Sequence, residues 1–241
     1  MLDFSNREVG SASRLEGKVY VLLFYVGTPS HPVTARTHEE WSAEVVEAQR
    51  WLQRQAAHYG KHVEFENAAY GLDGSLIMDD IPSGPYAPNA YYFPDKVYRL
   101  LKLKDSWEMY RFVRTFAAHY DQYLSLILCN MKGRSFSCPV SKELYTFNRK
   151  AFFFESSVIY RYEDVDPLQK TTSASIAHET LHLFGATDLY AHDDSSKERQ
   201  IEQTYRRLYP NSIMLGAPFG IQQTEVDELN AWLVGWRNKP L

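Results

Sequence analysis

The run GKVYVLLFYVG, residues 17–27, sets a lysine and then eight consecutive apolar or aromatic residues between two glycines. A strand wetted on one face alternates polar with apolar, so an unbroken run this short predicts a strand buried on both faces. Downstream, Thr37 and Glu40 form a capping-box pattern, and Trp41, Val45, Ala48, Leu52 and Ala56 recur at helical spacing until Gly60. KHVEFEN (61–67) then alternates, with Val63 and Phe65 on one side. Strand, long helix, strand is the usual route to parallel pairing. The expected class is therefore α/β (α+β), built on a twisted mixed sheet.

Residues 72–94, LDGSLIMDDIPSGPYAPNAYYFP, carry four prolines and little periodicity. A loop of that length is either the rim of a cleft or a plain surface loop. A second helical stretch covers roughly 96–120, with a new start signal at Asp105 and Ser106. YLSLILCN (123–130) and AFFFESSVIYRY (151–162) read as further strands, and TEVDELNAWLVGW (224–236) as a final helix. Without repeats, low-complexity tracts or a linker, the chain reads as one domain over 1–241. Its N-terminal subdomain covers about 1–185, with two long helices and a motif-bearing helix; a smaller, mostly irregular and helical C-terminal subdomain covers about 186–241.

The chain has 241 residues, 44% hydrophobic and 23% charged, with a formal charge of −4, which is ordinary globular composition. No run of Lys or Arg suggests a polyanion surface, so nucleic acid is not an expected partner. No window approaches a membrane span, and the N-terminal residues lack an apolar leader core, so the expectation is a cytoplasmic protein, or a secreted one if a processed segment precedes this sequence. Cys129 and Cys138, nine apart, read as two structural thiols, with one disulfide the alternative in an oxidising setting. The 17 Tyr and 13 Phe suit either a dense core or a cleft lined with rings.

The chemistry is concentrated in TSASIAHETLHLFGATDLYAHDD (172–194). On a helix, residues four apart are separated by about 400°, so His178 and His182 stand one above the other and both imidazoles reach one ion. Glu179 lies about 100° round from His178, off the ligand stripe, where it can hold a water beside the metal. Ile176, Ala177, Leu181, Leu183 and Phe184 give the helix an apolar face to bury. A metal that performs chemistry needs a third protein ligand and an open position. Gly185 can end the helix in left-handed conformation and send the chain back, which brings Asp188 to the ion. Two neutral imidazoles and one carboxylate leave a Zn2+ site at about +1, a charge at which a bound water can still be acidified toward neutrality.

HETLHLFGATD (178–188) resembles the metzincin clan of zinc endopeptidases, with aspartate in the third-ligand place as in snapalysin-type small neutral proteases. NSIM (211–214) is similar to that clan's methionine turn. The motif resemblance covers about 171–236; upstream it rests on the order of elements. It implies a metzincin-like zincin fold and peptide-bond hydrolysis with one catalytic Zn2+ on His178, His182 and Asp188. It also implies Glu179 as general base, Met214 as a hydrophobic floor, Tyr190 as an oxyanion-stabilising group, and LGAPFG (215–220) as a wall of the substrate pocket. An extended peptide or protein is the implied substrate, and the strand at 151–162 is the expected edge for it to join. The segment HDDSSKERQIEQTYRRLYP (192–210) departs from the clan pattern, as does the lack of a latency cysteine in an evident pro-segment, and together these suggest restraint by a regulatory partner. Glu202 and His192 are alternative third ligands; His31, His38, His58, His62 and His119 read as isolated residues. A zinc- or peptide-binding scaffold without turnover is the alternative function.

Overall fold

The apolar run at 17–27 forms β1, Gly17–Val26, in a computed structural model that describes residues 10–140, 153–163, 170–191, 195–216 and 220–239. Its side chains divide by parity, as a pleated strand requires. Val19, Val21, Leu23 and Tyr25 enter one core. Tyr20, Leu22, Phe24 and Val26 enter a second core on the opposite face. The unbroken apolar run is thus the signature of a strand covered on both sides.

Helix α1, Ala35–His58, follows, and Trp41, Val45, Ala48, Trp51 and Leu52 bury its inner stripe in the first core. Its N-cap is Thr34, whose hydroxyl accepts from the Thr37 backbone N–H, so the helix starts three residues before the Thr37 capping box that the sequence suggested. Thr34 is extended, as a cap residue must be, and places the oxygen where orphan N–H groups need it. Strand β2, Val63–Tyr70, then pairs parallel with β1, completing the expected strand–helix–strand unit.

The second helical stretch is split. Helix α2, Phe93–Leu100, ends in a turn in which Lys102 takes a positive φ of 63°, and Asp105 caps a new helix α3, Ser106–Arg114. Only α1 is long; the two-long-helix expectation fails because the Asp105 start signal interrupts the stretch. Both short helices pack on the second core through Val97, Tyr98, Met109 and Val113.

Strand β3, Gln122–Gly133, pairs parallel with β1 and with β5, Ser156–Glu163, while the short β4, Phe136–Cys138, pairs antiparallel with β5. The sheet order is β2-β1-β3-β5-β4, a five-stranded mixed and mostly parallel sheet. The strand expected at 151–162 is therefore interior, flanked by β3 and β4, and among the described residues the edges are β2 and β4. The buried pattern of SSVIYR is that of a strand with neighbours on both sides; residues 151 and 152 lie outside the described residues.

Helix α4, Ser173–Leu183, lies against α1, β4 and β5. Thr172, its N-cap, makes no side-chain cap bond. Glu44 of α1 takes over that role, accepting from the Ser173 backbone N–H at 2.6 Å, while Ser173 Oγ donates to Glu47 at 3.2 Å. Two carboxylates at a helix N-terminus also face the positive end of its dipole, so α1 both packs and orients α4. Beyond it, α5, Ser196–Leu208, buries no residue, whereas α6, Glu228–Leu233, and the residues after it send Ala231, Val234 and Trp236 into the first core. Among the described residues no helix is long and apolar enough to cross a membrane, and Cys129 and Cys138 are unbridged thiols.

Glu155, just before β5, is 1% exposed, and the N-terminal segment closes over it. Ser11 N donates to Glu155 Oε2 at 2.7 Å, Ser11 Oγ lies in short hydrogen-bond contact with the same oxygen and 2.9 Å from the Tyr123 carbonyl, and no Cβ would fit at Gly10. A protonated carboxyl satisfies this set: Glu155 donates to Ser11 Oγ, which donates to Tyr123. Burial pushes the Glu155 carboxyl up to about 8, against hydrogen bonds that favour its ionised form. The unfolded chain ionises it near the ordinary 4.5, so across that window the unfolded state binds fewer protons and stability falls as pH rises. Glu155→Gln is expected to remove that slope, gaining on the order of a few kcal/mol relative to wild type at pH 8 and little at pH 4.5, as read by denaturant unfolding across pH. Equal slopes in the two proteins would show that Glu155 is ionised when folded.

Candidate metal centre

Three of the residues singled out in the sequence come together at the end of α4. His178 Nε2 and His182 Nε2 are 3.1 Å apart, and each is 3.2 Å from Asp188 Oδ1. Among the described residues, these form the one group of three or more His, Cys, Asp or Glu whose ligand atoms converge. Around a tetrahedral zinc with bonds of about 2.0–2.1 Å, ligand atoms stand about 3.3–3.4 Å apart, so the triangle has the size that such an ion requires.

Each imidazole is turned by its other nitrogen. His178 Nδ1 lies 3.1 Å from the Ile213 carbonyl, and His182 Nδ1 lies 2.9 Å from the Ala186 carbonyl. A carbonyl only accepts, so each Nδ1 carries the proton and each Nε2 presents a lone pair to the shared point. Two lone pairs and a carboxylate facing one another this closely are a set of donors that only positive charge reconciles. The titration of the group has the same origin. Burial works to lower the His182 imidazole, but Asp188 and Glu179 outweigh it and push it up to about 9. Burial works to raise the Asp188 carboxyl, but hydrogen bonds and charge from His178 and His182 hold it well below the usual carboxylate range.

The return of the chain depends on Gly185. It takes φ 97°, its N–H donates to the His182 carbonyl at 3.0 Å, and Ala186 N donates to Leu181 O at 3.1 Å. This pair of bonds is the Schellman stop, which favours glycine at the left-handed position. A buried network then fixes the loop carrying Asp188. Thr187 N donates to Asn230 Oδ1 at 2.8 Å, Asn230 Nδ2 donates to Asp227 Oδ2 at 2.8 Å, and Ser212 Oγ donates to the same oxygen at 2.6 Å. Ser212 Oγ also accepts from Met214 N, and the Met214 carbonyl accepts from Leu189 N. The turn Ile213–Leu215, with Met214 fully buried, is thereby tied to the loop carrying Asp188 from both sides, and its Ile213 carbonyl orients His178.

Glu179 is 7% exposed and opens onto a cleft of about 420 Å³. Two serines that the sequence reading passed over hold it. Ser137 Oγ, on the edge strand, lies 2.7 Å from Glu179 Oε2, and Ser157 Oγ lies 3.1 Å from the Glu179 carbonyl. One hydroxyl proton serves each oxygen. Nothing in the three-residue strand FSC marks it in sequence, since its only pattern is Phe136 and Cys138 inward with Ser137 between them. Tyr190 lines the same cleft; its ring stacks on His178 with centroids 6.4 Å apart, and its hydroxyl hydrogen-bonds Asp188. Burial first, then the Asp188 charge, raises this phenol far above its ordinary value.

The proline-bearing loop is a cleft rim: Pro85, Tyr86 and Tyr91 line the same cleft as Ser137 and Glu179. Glu202 is not in the cluster. It accepts from Ala191 N at 3.0 Å and pairs with Arg206 at 2.6 Å, which uses its carboxylate to pin the chain just after Tyr190. His192 and residues 217–219 of the expected pocket wall lie outside the described residues. His31, His38, His58, His62 and His119 join no such cluster among the described residues.

No family model matches the chain, and no curated protein matches it. Among solved structures it is similar to one described as "Structure of a chaperone-substrate complex", at 12% identity and a TM-score of 0.43. The match covers 91% of this chain and 34% of that one, so this chain spans about a third of its length.

Proposed function

We propose that the chain is a zinc-dependent endopeptidase of the metzincin kind. The observation that carries this reading is the convergence of His178 Nε2, His182 Nε2 and Asp188 Oδ1 within 3.1–3.2 Å of one another, with Glu179 beside them on a cleft. A scaffold that only stored zinc has no use for a carboxylate base held at the mouth of a cleft. The element order, the glycine stop after α4 and the buried Met214 turn further support the clan.

Zinc on these three side chains would polarise the scissile carbonyl and make a water acidic enough to attack near neutral pH. The chain's own residues supply the rest. An extended peptide laid along β4 gains main-chain hydrogen bonds from the one sheet edge that borders α4. Glu179 takes a proton from the attacking water at its carboxylate and returns it to the leaving amine nitrogen. Ser137 fixes that carboxylate so that one oxygen faces the water. The Tyr190 hydroxyl, which stays protonated far into the alkaline range, can turn from Asp188 toward the oxygen that gains negative charge.

The direct test is hydrolysis of an unfolded protein by zinc-loaded enzyme with and without chelator; equal cleavage in both would end the proposal. Ser137→Ala is expected to lower kcat about tenfold with zinc content unchanged, the usual scale for a group that orients a catalytic residue. An unchanged kcat would leave Ser137 a structural hydroxyl only.

A further inference from the structure

We infer that Arg134, stacked on Tyr86, forms a subsite for a carboxylate side chain of the substrate within the first three residues after the cleaved bond; this rests on the hydrolase reading above.

Arg134 is the only Lys or Arg among the described residues lining the cleft. Its guanidinium lies 5.8 Å over the Tyr86 ring, and it makes no ion pair with a carboxylate among the described residues. Structural arginines on a surface usually find such a partner or point to bulk solvent. This one is held at the cleft wall. Its backbone N–H donates to the Ser83 carbonyl at 2.9 Å, and Gly84 packs on it so closely that an added Cβ would lie 3.2 Å from Arg134 Cβ. Tyr86 is 80% exposed, an aromatic that stays out of the core and supports the flat face of the guanidinium instead. The planar fork is then free at its edge, the side that binds a carboxylate in two parallel hydrogen bonds. Arg134 lines the same cleft as Tyr190 and Glu179, so the subsite adjoins the reacting centre.

Strand polarity gives the position. Ser137 marks the level of Glu179 on the edge strand, and Arg134 lies in the short connection that leads into that strand's first residue, Phe136. A peptide antiparallel to β4 places its later residues beside the earlier residues of the strand. Arg134 therefore faces the segment on the C-terminal side of the cleaved bond. Acidic chains are favoured there and lysine is repelled.

The test uses fluorogenic peptides of one sequence, each carrying Glu, Gln or Lys at one of the three positions after the bond, with the cut located by mass spectrometry. Zinc-loaded wild type is expected to show a kcat/KM for Glu about tenfold above Lys at one of these positions. Arg134→Ala should flatten the series, and Arg134→Glu should invert the order of the Glu and Lys peptides. Cleavage with no Glu preference at any position, or a preference that survives Arg134→Ala, would overturn the subsite alone. Failure to cleave any peptide would sink the hydrolase reading, and the subsite with it.

Discussion

Glu179→Gln is expected to lower cleavage of an unfolded protein by about 10³-fold while zinc content and thermal stability stay at wild-type values. Glutamine keeps the volume and one carbonyl oxygen, so it still accepts from Ser137, whose hydroxyl stands 2.7 Å from Glu179 Oε2. What it loses is the ability to take a proton. The side chain contributes none of the three converging ligand atoms, which is why the metal should remain. A metal-storing scaffold gives a different outcome: no cleavage by wild type, and identical zinc binding in the variant. Wild-type cleavage undiminished in Glu179→Gln would remove Glu179 from the reaction, whatever the metal does.

The site was more legible in the sequence than the sheet. His178, Glu179, His182, Gly185 and Asp188 lie in eleven consecutive residues, and helical periodicity plus one left-handed glycine almost fixes their geometry. Local rules sufficed because every bond that turns the chain there is local, from Gly185 N to His182 O and from Ala186 N to Leu181 O. β1 was equally plain, since burial on both faces writes itself as an unbroken apolar run. The edge strand was not. Phe136–Cys138 is three residues long and is defined only by pairing with Ser156–Val158, a contact about twenty residues away that no period announces. Missing it assigned the edge to β5 and hid Ser137, whose Oγ lies 2.7 Å from Glu179 Oε2, and Arg134, which lines the same cleft. The hydrogen bonds from Ser212, Asp227 and Asn230 to the Asp188 loop were invisible for the same reason: each is an ordinary polar residue until the final helix folds back onto the methionine turn.

Asp188→Ala is expected to reduce zinc affinity by more than about 100-fold and to abolish the stabilisation that zinc gives, whereas Glu202→Ala should keep both. In wild type, zinc at about 1,000 times its Kd is expected to stabilise the folded chain by about 4 kcal/mol, on the order of 10 °C in Tm for a chain of this size. Asp188 supplies the only carboxylate oxygen in the cluster, and its removal leaves two imidazoles, too few to hold zinc against water and buffer. Glu202 is a carboxylate at the surface of α5 that caps Ala191 and pairs with Arg206, so truncating it loosens the chain after Tyr190 without emptying the cluster. The contrast is read by metal analysis after dialysis and by the difference in Tm with and without chelator. Loss of zinc in Glu202→Ala with retention in Asp188→Ala would move the third ligand to α5, leaving the turn at Gly185 and the buried bonds that hold Thr187 without a purpose in the metal site.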